Sequence, residues 1–416
     1  MSGGALSGIR VIDLTSVVVG PTATLYLADY GADVIKVEPP EGDLLRRLGG
    51  GSASGQLSGK FMHFNRNKRS IVLDLKQTSG LAALNRLLEG ADVFIANVRP
   101  RALQRLSLGS ATLRERHPRL IVCNLMGFGQ RGRYRDRPAY DTIIQGMTGV
   151  AECNRRAGGE ARYVPMVFAD HVVGLIATQC IMAALIARGR TGEGQIVEVP
   201  MFENMAAFVL AEHMGDLTFR PPRGGSGDLR VLDPLGRPVK TRDGYICVSA
   251  NTDAQAFALF DAIGRPELRH DPRFSTVKAR LANVRAYFAI RAEGLAARTT
   301  AEWVEILGAA DVPAGPVHTL ESLMADEHLA DAGFFREVDH PVEGRVLEMR
   351  FPNTFSAGGR TTGRPAPLKG GDSIAILREL GYDDGAIDAM VASGATADGI
   401  TSEQRRSDRP GPGSPG

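Results

Sequence analysis

Apolar positions along the first 125 residues fall into two rhythms. Short β-rich runs at Ile9–Leu14, Ala32–Val37, Ser70–Leu75, Ala91–Ile95 and Leu120–Leu125 have the length and branched composition of strands. Between them Pro21–Tyr30 and Thr78–Glu89 carry helical spacing. Strands alternating with helices predict a parallel sheet covered by helices. The run Ile196–Val199 closes this half. The pattern is Rossmann-like, but no GxGxxG follows the first strand, so dinucleotide binding is unsupported.

The expected organisation is a large α/β domain over 1–200, a linker over 201–229 and a smaller α+β domain over 230–318. A polar, Pro/Gly-rich stretch at Arg220–Asp228 marks the linker, and Tyr245–Val248 supplies a strand of the small domain. Pro313–Val317 begins the way back, so that 319–392 returns to the large domain. The tail over 393–416 is poor in large apolar groups and is expected to be disordered.

The longest apolar stretch, Val172–Ala187, is short for a bilayer span and reads as a buried helix. With 49 basic against 47 acidic residues, charge gives no case for nucleic acid or membrane as a partner. Met1–Gly8 has no signal-peptide pattern. Cys123, Cys153, Cys180 and Cys247 lack metal spacing and suit buried thiols in a reduced, cytoplasmic protein. The eight histidines are scattered, and His213 has no partner at i+4, so no metal site is expected.

One acid stands out. Asp170 lies between the apolar runs Val164–Ala169 and Val172–Ala177. Such surroundings raise a carboxyl pKa, by up to roughly 3–5 units on full burial, and a more basic carboxylate is a better nucleophile toward an activated carbonyl. Asp170 also lies where a helix N-cap belongs, and the two roles are compatible. Gly174, one turn on, reads as room for a ligand beside the carboxylate.

Further segments form an ordered series: Leu6–Leu14, Gly31–Glu38, Phe64–Ser70, Arg137–Asp141, Arg188–Gln195, Val312–Val317, Arg364–Leu368 and Leu377–Tyr382. Together they resemble the class III CoA-transferase family, the CaiB/BaiF group that includes formyl-CoA, carnitine and bile-acid CoA-transferases. The resemblance spans nearly the whole chain. It implies that Asp170 attacks an acyl-CoA thioester to give a mixed anhydride, then carries CoA as an aspartyl thioester. An acceptor carboxylic acid then takes the CoA. No permanently bound cofactor is implied; the CoA thioester is a substrate. The family fold further implies a homodimer of interlocked rings.

By the same resemblance Val17, Val18, Leu73, Lys76, Asn97, Arg105 and Tyr140 line the CoA and substrate site, with Asp141 and Gly174 in support. Without it, Lys76 and Arg105 are surface charges, Asn97 is a strand-end turn residue and Arg66–Arg69 is an exposed basic loop. A glycine-rich loop commonly covers the family's site; Gly224 and Gly225 in Gly224–Gly227 are the candidates, against a plain linker. Pro39 and Pro138 stand where some members place Arg and Lys. Val18 replaces a polar substrate contact of the formyl-CoA enzyme, which speaks against an oxalate-type substrate. Gly370–Ser373 departs from a Gly-Glu-His-Thr pattern. Two alternatives share the fold: an α-methylacyl-CoA racemase, disfavoured because Tyr140 stands in place of its histidine, and a non-catalytic CoA-binding protein.

Overall fold

A computed structural model describes residues 4–356 and 363–399. The chain forms two compact units. One falls within Met1–Ile144, Pro165–Met205 and Gly333–Gly416, the other within Gln145–Val164 and Ala206–Ala332.

The first unit is built on six parallel strands, β1 (Arg10–Leu14), β2 (Asp33–Glu38), β3 (Lys68–Val72), β4 (Val93–Ala96), β5 (Ile121–Met126) and β6 (Ile196–Pro200), in the order β3-β2-β1-β4-β5-β6. Helices α1 (Val19–Asp29), α2 (Gly59–Asn65), α3 (Thr78–Glu89), α4 (Pro100–Arg105) and α5 (Ser110–Arg116) intervene. Because the strands are parallel, all their carboxyl ends lie along one edge of the sheet. The order reverses between β1 and β4, and a crevice outside such a switch point is where doubly wound sheets bind ligands. Four consecutive buried residues in β4 and six in β5 reflect cover on both faces.

α6 (Asp141–Met147), α7 (Val150–Gly158), α8 (Phe168–Thr191) and α9 (Met201–His213) follow. The 24 residues of α8 make it longer than the expected buried helix, and long and apolar enough to cross a bilayer. Its buried stripe, including Val173, Gly174, Ala177 and Ile181, instead packs on α1 and the sheet. Helix α9 replaces the first part of the expected linker, because Met201 and Met205 are buried anchors.

The second unit has a three-stranded antiparallel sheet of β7 (Val239–Lys240), β8 (Tyr245–Val248) and β9 (Ala314–Pro316). Its core gathers Ile246, Phe260, Phe274, Tyr287 and Trp303. Two boundaries therefore move. Residues 145–164 belong to this unit, and Pro313–Val317 lies inside it rather than starting the return. Cys247, on β8, is exposed, contrary to the expected burial, whereas Cys123 is buried.

The return begins at Gly333 and includes a hairpin, β10 (Phe335–His340) with β11 (Gly344–Met349). Ile376, Leu377, Ile387 and Met390 then join the main core with Ile12, Ile71 and Leu84. The departure at Gly370–Ser373 has a structural account here. Asp372 Oδ2 accepts from Ser70 N (2.9 Å) and Ser373 Oγ from Val72 N (3.1 Å), so these side chains close the open edge of β3. The tail is ordered at its start: Ala395 and Thr396 are buried, and Thr396 Oγ1 donates to Val72 O (2.7 Å). Backbone and hydroxyl hydrogen bonds hold a segment whose composition offers little apolar surface. The rest of the expected disordered tail, 400–416, lies outside the described residues.

Candidate active site

Asp170 is the third residue of α8 and 9% exposed. Among the described residues no hydrogen bond or ion pair reaches its carboxylate. Burial pushes its pKa up to about 7, with the nearby Asp141 charge as the second cause. The helix N-terminus favours an anion there by only about 0.3–1 kcal/mol, so burial prevails.

The cap reading of Asp170 is corrected by the geometry. Val167 is the N-cap residue and its side chain caps nothing. The capping oxygen comes from Asp141, whose Oδ1 accepts from Ala169 N (2.7 Å) and Asp170 N (3.3 Å). The Tyr140-Asp141 segment is seated because Gly127, just past β5, has no Cβ: one placed there would collide with that of Ala139. Tyr140 itself is 76% exposed. The neighbouring His171 turns aside onto Phe64, with ring centroids 5.4 Å apart, and burial lowers its pKa.

Gly174 does not open space for a ligand. A Cβ there would lie 2.7 Å from Thr22 Cβ and 2.8 Å from Val19 O. The missing side chain admits α1 against α8, and helix–helix packing uses the room.

The expected CoA-site residues gather at the carboxyl edge of the sheet, as parallel strands require. Val17 follows β1, Leu73 and Lys76 follow β3, and Asn97 follows β4. Arg105 ends α4, and both it and Lys76 are exposed. Two side chains are turned away from any ligand. Val18 is 3% exposed and packs with Leu45, Leu57 and Phe61, and Leu73 belongs to the main core. Asn97 is occupied as well: its Oδ1 accepts from Ser16 N (3.1 Å) and its Nδ2 donates to Ser16 O (2.9 Å).

The basic run Arg66–Arg69 is not an exposed loop. Lys68 opens β3 fully buried, donating to Thr24 Oγ1 (2.7 Å) and Asn65 Oδ1 (2.9 Å) and 3.4 Å from Asp13 Oδ2. Desolvation lowers its pKa to about 8, although Asp13 opposes the fall. Arg66 pairs with Asp29 at 2.5 Å.

Gly224 and Gly225 lie in the second unit, in a loop held by its own contacts. Asp216 N donates to Gly225 O (3.1 Å), Gly227 N to His213 O (2.8 Å) and Arg156 to Ser226 O (3.1 Å). A Cβ on Gly224 would meet the Asp216 carboxylate. Among the described residues no cluster of His, Cys, Asp or Glu is arranged to hold a metal ion.

Residues 6–373 match the CoA-transferase family III profile. The chain belongs to that family. Named relatives match this family III enzyme over most of its length. It is 36% identical to the succinate–glutarate CoA-transferase of Agrobacterium fabrum, over 90% of this chain and 95% of that one. It is 33% identical to a formyl-CoA:oxalate CoA-transferase of Rhodopseudomonas palustris, over 94% and 97%. The crystal structure of a CAIB/BAIF family protein from Brucella suis superposes with a TM-score of 0.77 at 31% identity, covering 91% of this chain and all of that one. CoA-transferases take CoA thioesters as substrates, and the family match indicates no permanent cofactor.

Residues the sequence reading passed over also shape the transferase's sheet edge. Asp43 and Lys36 hold the turn after β1, and Glu203 Oε1 accepts from Gly129 N (3.0 Å) after β5. The one available signal was Lys36 itself, a charge set among Val34, Ile35 and Val37 in β2.

Proposed function

We propose that Asp170 is the nucleophile of a transfer of CoA from an acyl-CoA thioester to a carboxylic acid. The observation that carries this is its carboxylate: nine-tenths buried, unpaired among the described residues and half-ionised near neutral pH. Asp170 attacks the thioester carbonyl, the C–S bond breaks, and CoA thiolate leaves a mixed anhydride. The thiolate then attacks the aspartyl carbonyl of that anhydride and expels the donor carboxylate. An incoming carboxylate repeats the two steps in reverse order and leaves as its CoA thioester, with Asp170 regenerated. No acyl group is lost to water, so the thioester's activation is conserved. Lys76 and Arg105 are exposed cations near the sheet edge that would meet the CoA phosphates, and Tyr140 would stand beside the thioester.

Short dicarboxylic acids are the first acceptors to try, because the similar Agrobacterium enzyme is named for succinate and glutarate. The enzyme works as a homodimer in the cytoplasm on this reading. Leu175 (40% exposed), Ile186 (64%) and Ile196 (43%) leave apolar surface on α8 and the edge strand β6 for a second copy to cover. Light scattering then gives twice the 44.5 kDa chain mass; a monomer refutes the dimer.

Mass spectrometry of protein incubated with a panel of acyl-CoAs in heavy water and quenched with hydroxylamine tests the chemistry. A donor-dependent hydroxamate on the Asp170 peptide is expected. Deuterium at the acyl α-carbon with Asp170 unmodified sinks the transferase reading in favour of a racemase.

A further inference from the structure

At the switch point the chain leaves β1 through Thr15-Ser16-Val17-Val18, and Val17 adopts φ 69°. Four non-glycine residues among those described have positive φ: Val17, Asn67, Ser107 and Asp311. Val17 alone of these is β-branched, the side-chain class for which the left-handed region is a genuine outlier. Such strain persists only where the surroundings over-determine it.

They do so here. Asp43 Oδ1 accepts from Val17 N (3.1 Å) and also from Leu45 N (2.9 Å). Its Oδ2 lies 2.8 Å from Lys36 Nζ, with both side chains at most 1% exposed. Lys36 Nζ donates to Thr15 O (2.9 Å). From the other side of the switch point Asn97 takes both the N–H and the C=O of Ser16. Side chains from β2, the loop beyond it and the end of β4 thus bind four consecutive backbone groups of one turn. The next residue, Val18, is the N-cap of α1, with no side-chain cap of its own.

We propose that Asp43 and Lys36 are positioning residues for CoA binding: sealed from any ligand, they hold the Val17 turn in its left-handed form. This rests on the reading above that the turn lines the CoA site. The clamp is needed because residue 17 is a valine, since glycine enters this conformation at no steric cost.

A double-mutant cycle on the full-length protein tests it, read as the dissociation constant for free CoA by calorimetry. Asp43→Asn keeps an acceptor for Val17 N but breaks the pair with Lys36 that anchors the turn, and is expected to weaken CoA about tenfold or more, because small misplacements of binding groups are costly. In the Val17→Gly background the same change is expected to cost less than about threefold. An equal factor in both backgrounds, or no effect of Asp43→Asn on CoA affinity, overturns the proposal. Should Asp43→Asn not be recovered folded, Asn97→Ala paired with Val17→Gly is read by the same rule. With an active donor, Asp43→Asn raises the acyl-CoA KM more than it lowers kcat, whereas merely less folded protein lowers the amplitude at constant KM. The binding cycle needs no turnover, so it stands even where the donor panel finds no transferase activity.

Discussion

Asp141 caps the helix that carries Asp170, through Oδ1 to the backbone N–H groups of Ala169 and Asp170. One carboxylate therefore fixes the position of the other and adds to the cost of ionising it. Asp141→Asn keeps an oxygen acceptor at the cap and removes the charge. The Asp170 pKa then falls toward the ordinary carboxylate range, with burial still holding it above. The acid limb of kcat/KM moves to lower pH, and a profile that does not move refutes the coupling. Asp141→Ala removes the cap as well and costs about 0.5–2 kcal/mol of stability in denaturant unfolding.

Asp170 links stability to pH with a definite sign. Its folded pKa, about 7, lies above the unfolded value near 3.8, so between them the folded state holds the proton more tightly. Its contribution is fully present below pH 4 and lost as pH rises through 7. Each pKa unit of displacement corresponds to about 1.4 kcal/mol. Asp170→Asn, which never ionises, abolishes transfer and is expected to gain on the wild type by a few kcal/mol from pH 4 to pH 8. Parallel stability curves would falsify this.

Gly174→Ala opposes two rules of thumb. Intrinsic propensity favours alanine in mid-helix by about 1 kcal/mol. The Cβ, however, would sit 2.7 Å from Thr22 Cβ and 2.8 Å from a backbone oxygen that cannot yield alone. Overpacking of this kind costs typically 1–3 kcal/mol. The sum is destabilising, seen as a lower Tm, and α1 is displaced from α8 in a crystal structure of the variant. A raised Tm contradicts the close approach.

What was legible in the sequence follows from where the determining contacts lie. The strands around Ile12, Ile35, Phe94 and Val122 were readable because both sheet faces are covered and β-branched or large apolar residues dominate each run despite Asp13, Lys36 and Asn124. The third strand was placed two residues late, because Lys68 and Arg69 open it and a fully buried lysine is visible only once Asp13, Thr24 and Asn65 surround it. The hairpin of Phe335–His340 and Gly344–Met349 was missed because charged residues interrupt its alternation. Asp170 could be singled out from its apolar flanks. Its cap could not, since the capping oxygen comes from another segment of the chain. Gly174 was misread for a related reason: the room it leaves is defined by α1, a partner remote in sequence.

β3 is a terminal strand of the six-stranded sheet. An edge strand exposes backbone groups that must be paired or shielded. Ser373, with no exposed surface, supplies its hydroxyl oxygen to Val72 N, and Thr396 supplies its hydroxyl hydrogen to Val72 O. The same residue is thus satisfied on both sides by the returning chain. Ser373→Ala leaves the Val72 N–H buried and unpaired, which costs about 1–3 kcal/mol. Thr396→Ala strands the carbonyl, whose second lone pair makes the loss smaller. Amide hydrogen exchange at Val72 is expected to quicken in Ser373→Ala, with exchange in the second unit's core around Trp303 unchanged. Equal acceleration in both places would mean that the substitution lowers global stability instead of opening this edge.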